Sequence, residues 1–348
     1  MKQESIRQIK SRQSKERGGT LVLVTVFMVA LFGFAALSID VGNVYVQRTR
    51  LQEAGDSASL ASVVDWANGA TADVVAQRAR GFASANSVPT NEVKTVRAGI
   101  WDDATRTFTE TATFTSSEVP AVEVTNQRTV PMYFGRVVGM PAMSPRTVSV
   151  ACVAAATAAG GVLPWVACDT FTPTKCATVT VQFQDSSGPG VTNACTGGSG
   201  NFGQISLGGS GASVYKNNII NGYGGILRVG DCVDTDTGVS WGPTKQGIDD
   251  RMPKPYPAYN CTPTSPPPIG DADPNNDKRQ AIVPKTTDLD VNGKKKICIT
   301  GFYTVSIGDY NNSTKTVDIT FVETFTGTEV DPSKPPVPGE LNGVSLVQ

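Results

Sequence analysis

The chain has no histidine among its 348 residues. That absence excludes Ser-His-Asp and Cys-His catalysis together with His-ligated zinc. It has no large charge of either sign: the formal net charge is −1, so no polyanionic partner is expected for the whole chain. None of the seven cysteines forms a Cys-x-x-Cys pair, which leaves a zinc or redox motif unsupported. There is no period of 20–50 residues of the kind that marks repeat arrays. Proline is missing from residues 20–88; the first is Pro89. Charge is missing from Thr20–Ile39, a run of twenty residues.

That last absence organises the rest. At about 1.5 Å per residue the run crosses a hydrocarbon core of roughly 30 Å. In lipid the backbone must satisfy its own hydrogen bonds, so the expected form is a helix. Residues 1–17 carry six basic side chains against Glu4 and Glu16, which predicts a cytoplasmic N-terminus and an extracytoplasmic bulk. A cleaved signal peptide has the same charge order. The run is longer than the ~7–15 apolar residues of such a segment, and no Ala-x-Ala site follows it. A retained single-pass anchor is the preferred reading.

Beyond the span the sequence stays helix-compatible to Ala67, with Asn68-Gly69 as the stop. Val44, Leu51, Ala54, Ala58 and Ala61 recur at helical spacing, and the small residues suit close packing on a sheet. Arg48, Arg50, Glu53 and Asp65 are expected to face water or partners. Gly42 and Gly55 are candidate bends. A second helix is predicted over Thr71–Ala85. Strands follow at Val93–Trp101, Thr107–Phe114, Ala121–Thr125 and Thr147–Ala155, with a short helix in Val130–Val138 capped by Gly139. Ala154–Gly161 reads as a boundary.

Residues 162–329 are expected to form a second, all-β, Gly-rich domain. Its predicted strands are Ala177–Phe183, Gln204–Leu207, Gly225–Val229, Ile297–Ile307 and Thr316–Phe325. Residues 330–348 read as a loose tail. The fold class is α+β: a transmembrane helix (20–39) after a basic segment (1–19), continuing into a long helix on a small antiparallel sheet (40–159), then the β domain. Six cysteines after residue 160 lie where disulfides are permitted, and Cys152 is the expected leftover thiol.

The chemical motifs are weak. Gly198–Gly203 matches Gly-x-Gly-x-x-Gly literally, but a strand and turn follow it rather than a helix. Asp271–Asp277 resembles half of a calcium loop; the Gly and Glu that such a loop needs are Asn276 and Ile282 here. Asp185–Pro189 lacks the last oxygen of a metal-binding adhesion turn. Asp249 with Asp250, or Glu323, could be posed as an acid/base pair, but nothing fixes a productive separation. No catalytic residue, cofactor or metal is assigned.

The string Arg17-Gly18-Gly19, the span, Asp40-Val41-Gly42 and Arg48-x-Arg50-Leu51-Gln52-x-Ala54-x-Asp56-Ser57-Ala58-x-Leu60-Ala61 resembles the TadE/TadG-like proteins of Flp pilus (tight-adherence) assembly. The likeness extends more loosely through Gly99-Ile100-Trp101-Asp102, Val130–Gly139 and the Gly-rich stretches at 200–211 and 242–247. It implies a membrane-anchored assembly component with protein and lipid partners, without nucleic acid or a small-molecule substrate. Pilin-like members carry Glu at the fifth residue after the processing site; here that residue is Val24, which favours a permanent anchor. The metal turn of the von Willebrand A domain found in many TadG-like chains is missing. Asp40, Arg48, Arg50, Gln52 and Asp56 are the candidate contact residues. Asp40 either marks the membrane surface or pairs with a base on a neighbouring subunit. An anchored adhesin with a ligand-binding β domain is the alternative.

Overall fold

The computed structural model describes residues 2–170, 174, 176–182, 195, 202–236, 240–252, 278–289, 295–322, 324–326 and 329–347. Helix α1 runs unbroken over Lys2–Ala67, 66 residues. The side chains of residues 19–39 cover no part of the fold and stay exposed except for half-buried Ala36. Within this stretch Thr25 and Ser38 donate to the carbonyls of Leu21 and Phe34, each at 2.8 Å, so their hydroxyls are satisfied inside the helix. Neither Gly42 nor Gly55 interrupts α1. Gly55 instead faces the sheet closely: a Cβ there would stand 2.5 Å from Ser149 Oγ.

Helix α2 (Ala72–Ala85) lies beside the outer half of α1. Three strands follow: β1 (Val93–Asp102), β2 (Thr107–Glu110) and β3 (Val119–Gln127). The short pair β4 (Val130–Pro131) and β5 (Ala142–Met143) closes a hairpin whose tip holds a 3-10 turn, Gly135–Val138, ended by Gly139 at φ +83°. Strand β6 (Arg146–Ala156) then returns to pair with β3. Leu51, Ala54, Ala58 and Val63 of α1 bury against Val122, Val124, Ala151 and Val153, the inner face of this sheet. Asp65 does not face water. It is buried and accepts Arg78 Nε of α2 at 2.8 Å.

The strands β7 (Ala158–Gly160), β8 (Trp165–Cys168), β9 (Thr178–Gln182) and β10 (Phe202–Gln204) lead to α3 (Ala212–Asn221). Then come β11 (Ile226–Arg228), β12 (Cys232–Asp234), α4 (Trp241–Arg251), β13 (Gln280–Thr286), β14 (Lys296–Cys298), β15 (Gly301–Asn311) and β16 (Thr316–Phe321). The chain closes with β17 (Thr324–Thr326), β18 (Val330–Asp331) and β19 (Leu341–Leu346). A six-stranded sheet runs β10-β8-β13-β15-β16-β9; its single parallel pairing is β8 with β13. Helices α3 and α4 pack on it through Tyr215, Ile219 and Ile248, so this half is not purely β. A chain of hydrogen bonds runs through its core from Trp165 Nε1 to Tyr215 Oη at 2.9 Å, and on to Thr244 Oγ1 at 3.0 Å.

The expected tail is corrected here. Residues 330–347 are not a loose tail: β19 pairs antiparallel with β6, from Asn342 opposite Ala155 to Leu346 opposite Ala151. Ala154–Gly161 carries the buried end of β6, which the returning C-terminus covers, and β7, which pairs with β11 instead. The first sheet thereby reads β17-β19-β6-β3-β1-β2, with β18 also on β6. The overall class remains α+β.

Cys168 pairs with Cys195 and Cys232 with Cys298; Cys176 is disulfide-bonded as well. Cys152 is the free, buried thiol, with its pKa pushed up to about 12 by burial and, less, by Asp103.

Candidate interface at the outer end of the span

The candidate residues lie along the first turns of α1 above the apolar run. Asp40 directly follows Ile39, yet only 1% of it is exposed. Its carboxylate accepts three backbone N–H groups from the β4–β5 hairpin tip. Tyr133 N–H reaches Oδ1 at 2.7 Å, and Phe134 and Gly135 reach Oδ2 at 2.9 and 2.6 Å. These donors open the 3-10 turn at Gly135, where N–H groups are free to take an anion. Burial alone would raise the Asp40 pKa; the three donors outweigh it and hold the carboxyl below the usual carboxylate range. Gly135 is required by crowding, since a Cβ there would stand 2.8 Å from the Met140 carbonyl.

A second clamp holds the base of the same hairpin. Arg128 donates to Glu92 Oε2 and to Gln47 Oε1, both at 2.7 Å, and to the Ser87 carbonyl at 3.0 Å. Gln47 stands seven residues above Asp40, about 10 Å along the helix axis at 1.5 Å per residue. The hairpin therefore runs down α1 toward the apolar span. Nothing in the local sequence pairs Arg128 or Tyr133–Gly135 with α1; both contacts cross more than eighty residues.

The other candidate residues divide into two groups. Gln52 and Asp56 work inside the fold: Gln52 Nε2 donates to Asp56 Oδ1 at 2.8 Å and to Ser149 Oγ of β6 at 2.9 Å. Arg48 and Arg50 are exposed and have no hydrogen-bonding or ion-pair partner among the described residues. The posed acid/base pair is taken up structurally: Asp249 accepts Tyr310 Oη at 2.9 Å, and Asp250 pairs with Lys216 at 2.7 Å. Among the described residues no group of three or more Cys, Asp and Glu is arranged to hold a metal. The stretches 185–189, 198–201 and 271–277, with Glu323, lie outside the described residues; Phe202–Gln204, which completes the Gly-rich motif, is a strand.

An uncovered apolar helix long enough to cross a membrane enters a small α+β head, an arrangement that suits the class of membrane-anchored proteins. Within it, residues 18–76 match the family described as Flp pilus-assembly TadE/G-like, and residues 57–158 the family described as Tad-like Flp pilus-assembly. Residues 18–76 are thus similar to TadE/G-like chains and residues 57–158 to Tad-like ones, and the two matches indicate Flp pilus assembly. No curated protein and no solved structure matches the chain. Asp40 falls in the first match, and the hairpin tip it holds falls in the second.

Proposed function

We propose that this chain is a single-pass, extracytoplasmic component of Flp pilus assembly that works by protein–protein contact rather than by catalysis. The observation that carries this reading is the pair of family matches over 18–158, which includes the apolar run. Orientation follows from the basic residues before the span. The disulfides Cys168–Cys195 and Cys232–Cys298 suit an oxidising compartment. In this reading residues 40–159 form the assembly head, and the second sheet is carried on it. Partners are other pilus-assembly membrane proteins and the bilayer; no nucleic acid, small-molecule substrate or cofactor is called for.

Arg48 and Arg50 are the proposed partner contacts, because their charges are exposed and unspent. Asp40, Gln52 and Asp56 serve by shaping the surface around them. Deleting the gene should abolish or sharply reduce surface pili, and an Arg48→Glu, Arg50→Glu double variant at normal abundance should reduce them too. Normal piliation in the deletion strain would overturn the reading. The part beyond residue 158 lies outside both matches, and the adhesin alternative concerns that part. Binding of surfaces or glycans by the full chain in a strain without other pilus components would favour it.

A further inference from the structure

We propose that the tip of the β4–β5 hairpin is a second membrane contact, lying in the headgroup region of the outer leaflet beside the span. The inference rests on the anchor reading above and adds to it where the head meets the lipid. Three observations carry it. The first is height. Asp40 is the residue after the apolar run, and its hydrogen bonds to Tyr133, Phe134 and Gly135 hold the tip level with the end of the span. The second is direction. The Arg128 clamp at Gln47 and the Asp40 clamp below it send the hairpin toward the bilayer.

The third is chemistry. Met132 is buried and anchors the hairpin, while its neighbours are turned outward: Val137 is 87% exposed, Tyr133 67%, and Phe134 and Met140 about half. Single exposed apolar residues need no explanation, but a contiguous group marks a contact surface. Val41 and Tyr45 of α1, just past the span, are exposed apolar and aromatic side chains as well. The level of the tip, at the end of an apolar run that the fold leaves uncovered, selects lipid as the occupant. Aromatic rings at headgroup depth and a basic residue among them, here Tyr133, Phe134 and exposed Arg136, suit an interface with anionic headgroups.

The test uses the full chain with its disulfides intact, in vesicles of phosphatidylcholine and phosphatidylglycerol. A polarity-sensitive fluorophore is placed on single cysteines in a Cys152→Ala background: Val137→Cys at the tip, Phe27→Cys in the span and Val74→Cys on exposed α2. Lipids brominated on the acyl chain just below the headgroup should quench positions 137 and 27 several-fold more than 74. Adding Asp40→Ala should bring position 137 back toward the level of 74. The proposal is overturned if 137 behaves like 74 while 27 is quenched. It is equally overturned if 137 is shielded from aqueous iodide yet untouched by brominated lipid, because a protein partner then covers the tip. Lack of quenching at 27 removes the anchor itself, a distinct result.

Discussion

At the scale of single residues, Asp40 is the most informative position. A carboxylate at the outer edge of an apolar span invites an intermolecular explanation, yet its lone pairs are met by its own chain. The sequence places the charge at the membrane edge; it cannot reveal partners 93–95 residues away. Asp40→Ala should free the hairpin tip, read as faster tryptic cleavage after Arg136 and faster amide exchange at Tyr133–Gly135. Asp40→Asn, which retains one acceptor oxygen, should lie between the variants. The folded carboxyl titrates below its unfolded value of about 3.9, so its contribution is present above that pH. Protection of the three amides should hold at pH 7 and pH 5 and be lost as pH falls through the depressed value. Protection already lost between pH 7 and pH 5 would contradict the assignment.

At the scale of elements, α1 shows what a sequence displays and what it hides. Its span, its stop at Asn68-Gly69 and its small-residue face were all legible, because each depends on neighbours within a few turns. Helix α2, strands β1, β3 and β6, and the Gly139-capped turn were legible for the same reason. The role of Gly55 was not. It looks like a weak point in the helix, yet it admits Ser149 and the Asn126 amide, which in turn donates to the Leu51 carbonyl at 3.0 Å. Gly55→Ala raises intrinsic helix propensity but overpacks this contact, at about 1–3 kcal/mol. The variant should melt lower than the parent; an unchanged or higher melting temperature would show that the helix–sheet spacing relaxes freely. Helices α3 and α4 were missed because Gly211, Gly222, Gly242 and Pro243 punctuate them like turns. Pro243 is tolerated since it sits in the first turn of α4.

At the scale of the molecule, the C-terminal segment binds the two sheets together. A run with Pro335, Pro336 and Pro338 has the composition of a tail; its pairing with β6 spans nearly two hundred residues and leaves no local trace. Just before β19, Glu340 accepts Lys285 Nζ of β13 at 2.6 Å, and Lys285 also meets Asp169 at 2.8 Å over the Tyr303 ring. Burial raises the Glu340 pKa, and Lys285 opposes that shift. Lys285→Ala strands two carboxylates at this junction. Loss of a buried pair costs about 3–5 kcal/mol, and partial exposure of Asp169 puts this case near the lower end. Chemical denaturation of the variant should show that loss, with Lys285→Arg retaining more. The Cys232–Cys298 bridge, spanning 66 residues, should contribute about 2–4 kcal/mol, read as a lower melting temperature for Cys232→Ser, Cys298→Ser. In the proposed function all of this serves a head held outside the cell membrane by one helix. The most direct measurement is labelling of spheroplasts with a membrane-impermeant maleimide, using Ser5→Cys and Val74→Cys in the Cys152→Ala background. Val74→Cys should label in intact spheroplasts and Ser5→Cys only after lysis; the reverse pattern would contradict the account.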